Sequence, residues 1–163
     1  MHIIKLKKFY FINKLNFKNL NKLNKNVSII YREYSRNIDE KEIIKIKKIC
    51  KKQKREFFIS NQIKLAIKLS LDGVYLPSFN KSLKHKIYGL KKNFKIIGSA
   101  HNIREIREKE LQGVKVIFLA PLFEKDEKKW LGISKFNLLS NQTNQKLVAL
   151  GGISKQNLKK LHL

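Results

Sequence analysis

At 163 residues the chain is long enough for one domain with a real hydrophobic core and too short for two of ordinary size. Its hydrophobic fraction, 42%, is ordinary; the unusual quantity is charge, with 37 Lys+Arg against 12 Asp+Glu and a formal net charge of +25. A single cysteine, Cys50, excludes an internal disulfide framework and a Cys-rich metal site, and no apolar run approaches the length that spans a bilayer.

The charge has two readings. A Lys-rich surface gains affinity for polyanions by releasing counterions. Alternatively, a composition dominated by Lys, Ile and Asn, with lysines dispersed along the chain, gives an evenly solvated surface. No basic stripe with interleaved aromatics accompanies the charge, so no specific nucleic-acid partner is expected, although the positive field favours a phosphate-bearing ligand. Met1-His2-Ile3-Ile4-Lys5 lacks the apolar core of a signal peptide. With the lone thiol, this predicts a cytoplasmic protein without a membrane partner.

Short apolar runs alternate with amphipathic stretches, the pattern of strands each covered by a following helix. The predicted strands are Phe9–Ile12, Val27–Tyr31, Glu56–Ile59, Gly73–Leu76, Lys95–Ser99, Val116–Leu119 and Lys146–Leu150. Residues 13–26, between the first two, carry only a Lys/Asn bias. Asp39–Gln53 reads as a helix with Ile43, Ile46 and Cys50 on one face, which makes Cys50 a core residue. In Asn61–Leu71, Asn61 is a candidate N-cap and Leu65, Ala66 and Leu69 form a buried stripe; Asn102 with Glu105 makes a capping box, and Gly113 a stop. Ser154 reads as the cap of a short final helix. Strands separated by single helices pair in parallel, in either an open doubly wound sheet or a closed barrel, and the whole of 1–163 reads as a single domain.

The predicted strand ends run, in order, Tyr31-Arg32-Glu33, Ile59-Ser60-Asn61, Asp72-Gly73-Val74-Tyr75-Leu76-Pro77-Ser78, Gly98-Ser99-Ala100-His101, Phe118-Leu119-Ala120-Pro121-Leu122-Phe123 and Ala149-Leu150-Gly151-Gly152-Ile153. Their order and spacing, over about residues 27–157, resemble those of thiamine phosphate synthases and the related TenI-like thiazole tautomerases. The resemblance implies an α/β fold of the TIM (β/α)8-barrel type, in which residues at the C-terminal ends of the strands share one mouth. It also implies a role in thiamine biosynthesis, as a transferase that joins a hydroxymethylpyrimidine pyrophosphate to a thiazole phosphate. A TenI-like protein that binds thiazole phosphate or thiamine phosphate without turnover is the alternative.

Carried onto this chain, the resemblance makes Ser99 and Lys128 candidate catalytic residues. Arg32, Asn61, Ser99, Lys128, Gly151 and Gly152 are candidate contacts for phosphate or substrate. An arginine fork can grip two phosphate oxygens, and glycines after a strand let backbone N–H groups approach a phosphate. Each has a plainer reading: Arg32 paired on the surface with Glu33 or Asp39, Asn61 as a helix cap, Gly151-Gly152 as a tight turn, and Lys128 in a solvated charged loop. His101 reads more simply as a structural histidine than as a base, having no identified carboxylate partner.

Several family features are replaced. The positions implied to hold Mg2+ carry Gln62 and Asn80, neutral amides that bind this cation more weakly than carboxylates do, so Mg2+ is expected as a weakened cofactor at most. Tyr34 stands where the synthases have a lysine, Lys125 and Glu127 stand where their loop has threonines, and the tautomerase histidine aligns with Pro121. After Gly152 the chain supplies a helix start and no eighth strand, which is expected to reflect a shortened version of a longer product.

Overall fold

The computed structural model describes residues 8–34, 38–123, 130–154 and 156–157. Its elements alternate along the chain: β1 Lys8–Ile12, α1 Phe17–Lys22, β2 Val27–Tyr31, α2 Glu40–Lys52, β3 Phe57–Ser60, α3 Ile63–Lys68, β4 Gly73–Leu76, a 3-10 turn Lys84–Ile87, β5 Lys95–Ala100, α4 Ile103–Leu111, β6 Val116–Leu119, α5 Gly132–Ser140 and β7 Lys146–Ala149. The strands follow in sequence order, β1 to β7. This is the TIM-type β/α topology, with no eighth strand among the described residues.

Two compact units divide the chain, Met1–Tyr75 with Leu90–Phe94 and Leu76–Gly89 with Lys95–Leu163. In the first, β1 pairs in parallel with β2 from Lys8↔Val27 to Ile12↔Tyr31, β2 with β3, and β3 with β4. Every residue of β2 and β3 is buried, the signature of parallel strands covered on both faces. Ile43, Ile46 and Cys50 of α2 are buried as its periodicity requires. The Asp39 side chain caps this helix by accepting from Lys41 N–H at 2.8 Å, and acidic Glu40 and Glu42 in the first turn oppose Lys51 and Lys52 in the last.

In the second unit β5 pairs with β6 from Ile97↔Val116 to Ala100↔Leu119, and β6 with β7 from Val116↔Lys146 to Leu119↔Ala149. Helix α4 starts and stops as its sequence predicts. Asn102 Oδ1 accepts from Glu105 N–H at 3.0 Å, and Gly113 takes φ 75° at the stop. Ser154 and Asn157 cap each other, Ser154 N–H donating to Asn157 Oδ1 at 2.7 Å and Asn157 N–H to Ser154 Oγ at 3.3 Å. The rest of the expected final helix lies outside the described residues.

Three features depart from the sequence reading. The Lys/Asn-rich stretch contains α1, capped by Asn16, whose Oδ1 accepts from Asn19 N–H at 3.1 Å, and anchored by buried Leu20. Helix α5 forms without a side-chain cap or an acidic first turn, so neither terminal signal was there to read. Asn61 does not cap α3: the cap position is Gln62, which makes no side-chain bond, while Asn61 sits at φ 60° and donates its N–H to the Tyr75 carbonyl at 2.8 Å. Asparagine tolerates that left-handed conformation better than most residues, which gives Asn61 a backbone role.

Candidate functional site at the strand ends

In the first unit, the chain leaving β2 is fixed by Arg32 N–H, which donates to the Ile12 carbonyl at 2.7 Å. The exposed Arg32 guanidinium lies over the Phe11 ring, 5.3 Å from its centroid, and Phe11 meets Tyr75 edge-on with centroids 5.4 Å apart. Among the described residues Arg32 makes no ion pair with Glu33 or Asp39. A guanidinium held over an aromatic face by a cation–π contact keeps N–H groups available to an oxyanion. Glu42 was not singled out in the sequence, yet it organises the same end of the unit: Oε1 accepts from Leu15 N–H at 2.7 Å and Oε2 from the Tyr31 hydroxyl at 2.9 Å. At the end of β3, Ser60 is fully buried and its Oγ has no hydrogen-bond partner among the described residues.

In the second unit, Ser99 at the end of β5 is 4% exposed, and its Oγ accepts the Ser78 N–H at 3.1 Å. A serine hydroxyl carries one proton and two lone pairs, so this bond occupies an acceptor and leaves the proton to donate. His101 has the carboxylate partner that the sequence reading did not identify. Its Nδ1 lies 2.8 Å from Glu105 Oε2, which also accepts the His101 N–H at 2.8 Å, while Asn102 Nδ2 donates to Glu105 Oε1 at 3.2 Å. Burial alone would raise the Glu105 carboxyl's pKa, but the hydrogen bonds from His101 outweigh it and hold the group below its ordinary range. The i,i+4 spacing of His101 and Glu105 was the available signal.

Gly151 and Gly152 follow β7 with φ 92° and 66°. A Cβ on Gly151 would come within 2.9 Å of Pro121 Cα, and one on Gly152 would overlap the Phe123 carbonyl. The turn is tied to that neighbouring loop. Leu122 N–H donates to the Leu150 carbonyl at 2.8 Å, Phe123 N–H to the Gly151 carbonyl at 3.0 Å, and Asn157 Nδ2 to the Gly152 carbonyl at 2.8 Å. The tight turn is therefore sufficient reason for both glycines. Among the described residues neither glycine's own N–H donates a hydrogen bond, and successive N–H groups in such a turn can cradle an anion. Lys128 lies outside the described residues.

Asn80 belongs to a buried polar cluster that spacing did not reveal. Its Oδ1 accepts from Ser82 N–H at 2.8 Å and from Gln112 Nε2 at 3.3 Å, and its carbonyl accepts from Lys109 Nζ at 2.6 Å and Gln112 Nε2 at 2.9 Å. His85 Nε2 joins the cluster at 2.8 Å from the Gln112 carbonyl. Mg2+ needs hard oxygen ligands, preferably carboxylates. Asn80 spends its amide oxygen on the loop, and Gln62 offers only a neutral amide. No group of three or more His, Cys, Asp or Glu converges among the described residues. The residues at the two expected positions do not fit a tightly held Mg2+.

Residues 21–162 match the family described as thiamine monophosphate synthase. A thiamine-phosphate synthase of Prochlorococcus marinus subsp. pastoris is 33% identical over 144 residues, covering 83% of this chain and 40% of that protein. One from Helicobacter pylori strain HPAG1 is 27% identical, covering 72% of this chain and 56% of that protein. The chain thus spans about two fifths of the length of the Prochlorococcus relative and little over half of the Helicobacter one. Among solved structures, a thiamine phosphate pyrophosphorylase from Pyrococcus furiosus superposes with a TM-score of 0.64 at 20% identity, covering 93% of this chain and 78% of that one. At that identity the superposition speaks for the fold. No helix among the described residues is long and apolar enough to cross a membrane.

Proposed function

Because this chain belongs to the thiamine monophosphate synthase family, we propose that it serves thiamine biosynthesis by joining a hydroxymethylpyrimidine pyrophosphate to a thiazole phosphate. In that reaction the bond between the pyrimidine methylene carbon and the pyrophosphate oxygen breaks, the thiazole nitrogen bonds to the same carbon, and pyrophosphate leaves. The match over residues 21–162 carries the reading, since it takes in the strand ends from β2 to β7.

The roles follow from what each group can offer. Arg32, seated on Phe11, presents a planar fork to pyrophosphate oxygens. Ser99 keeps a proton to donate to the leaving group while Ser78 N–H holds its oxygen. Lys128 adds a cation, Asn61 an amide, and the N–H groups of Gly151 and Gly152 receive the thiazole phosphate. Residues 1–163 work together as one domain in the cytoplasm, with small phosphorylated molecules as partners.

Incubation of the folded chain with both substrates, with and without Mg2+, tests this. Thiamine phosphate should form, and Ser99→Ala and Arg32→Ala should each reduce its rate. A well-folded protein that makes none is not a synthase. The engaged amide of Asn80 favours a second reading, a TenI-like binding protein without turnover; calorimetry would then detect thiazole phosphate or thiamine phosphate binding, and no heat with either would reject it.

A further inference from the structure

The end of the first unit opposite Arg32 and Asn61 carries a pocket of about 460 Å3, where β3 and β4 begin and α2 and α3 finish. Four cations line it, Lys47, Lys51, Lys54 and Arg55, against two carboxylates, Glu56 and Asp72. Both carboxylates have partners within the fold: Asp72 Oδ2 accepts the Phe57 N–H at 2.8 Å, and Glu56 Oε2 accepts from the Ser28 hydroxyl at 3.2 Å. The Cys50 thiol in the wall adds no negative charge, because burial pushes its pKa up to about 12.

Arg55 distinguishes this pocket from a chance gathering of surface lysines. It is 6% exposed, yet only Nη2 has an acceptor, the Leu23 carbonyl. Nε and Nη1 are buried without a hydrogen-bond partner among the described residues. No carboxylate among them lies in ion-pair contact with Arg55. An arginine cannot shed its proton to escape burial, so an uncompensated guanidinium is costly unless something supplies acceptors and negative charge.

We propose that this pocket is a second ligand site, distinct from the strand-end loops, which binds a multiply charged phosphate-type oxyanion. Lys51 and Lys54, both exposed, contact the anion, and Arg55 in the wall contributes its buried charge. The anion supplies the negative charge that the fold leaves out. The site stands on the pocket and on Arg55, and does not depend on the reaction proposed above.

Titration of the full chain with inorganic phosphate and pyrophosphate at constant ionic strength, followed by amide chemical shifts, tests the proposal. Saturable shifts should appear at Arg55, Phe57 and Asp72. Arg55→Gln should weaken them by about tenfold or more, because it removes the buried charge that the anion offsets. Should Arg55→Gln fail to fold, the surface variant Lys51→Gln/Lys54→Gly takes its place and should weaken the same shifts. Arg32→Ala should leave them unchanged while impairing thiamine phosphate formation, so this site and the proposed reaction can fail separately. Shifts that do not saturate, that spread evenly over exposed lysines, or that persist unweakened in the pocket variants would overturn the site.

Discussion

The Ser99 hydroxyl accepts the Ser78 N–H at 3.1 Å, which ties the end of β5 to the loop that follows β4. Ser99 is buried, so its replacement by alanine leaves that N–H without its acceptor, at a cost of about 1 to 3 kcal/mol. Ser99→Thr keeps an oxygen and should retain most of the stability. Under the proposed reaction Ser99→Ala should also lower turnover more than it changes substrate binding, because the donated proton matters most as pyrophosphate departs. Urea denaturation with steady-state kinetics on both variants separates the two effects.

Gly152→Ala should be among the most damaging small substitutions in the second unit. It combines a φ of 66° with a Cβ that would overlap the Phe123 carbonyl. The loss should exceed the roughly 1 kcal/mol typical of a point mutation, and thermal unfolding would read it as a lowered midpoint. An unchanged midpoint would show that the turn after β7 is not held as described.

Lys109 predicts a pH dependence of stability. Its side chain is fully buried, and desolvation lowers its pKa from 10.5 to about 8. The unfolded chain therefore binds more protons than the folded one between about pH 8 and 10.5, so this group adds stability as pH rises through that window. Between pH 8 and 9 the gain is about 1 kcal/mol. Cys50 acts in the opposite direction above pH 9, because its folded pKa of about 12 exceeds the ordinary 9. Lys109→Met should flatten the rise between pH 8 and 9 in denaturation measured across that range.

Arg32 offers a sharper test than a simple deletion. Lysine keeps the charge but loses the planar fork that lies over Phe11. Arg32→Lys should therefore recover only part of the affinity for pyrophosphate that Arg32→Ala loses. Equal affinity in the lysine variant and the unaltered protein would reduce Arg32 to a point charge.

Much of the architecture is legible in the sequence. All seven strands sit where short apolar runs placed them; β2, β3 and β4 are the plainest, because a strand covered on both faces must be apolar along its whole length. Helices α2 and α4 were readable from Asp39, Asn102 and Gly113, since the orphaned groups at helix ends demand caps of recognisable chemistry. Helix α1 was hidden by its Lys/Asn content and α5 by its missing cap, and Asn61 suited a cap by residue type but not by backbone angle.

Sequence by itself determined the order of the elements, the family, and the residues that stand at each strand end, because these depend on local periodicity and on spacing along the chain. Tertiary structure decided how those residues are used. It stacks Arg32 on Phe11, commits the Asn80 amide to its own loop, and presses Gly152 against the Phe123 carbonyl. It also buries Lys109 across Gly98 and Arg55 beneath a lysine-rich rim, where a linear reading sees only two more charges on a solvated surface. Burial and partners are properties of chain segments brought together from a distance, and the cost of an unpaired buried charge arises only once that packing exists.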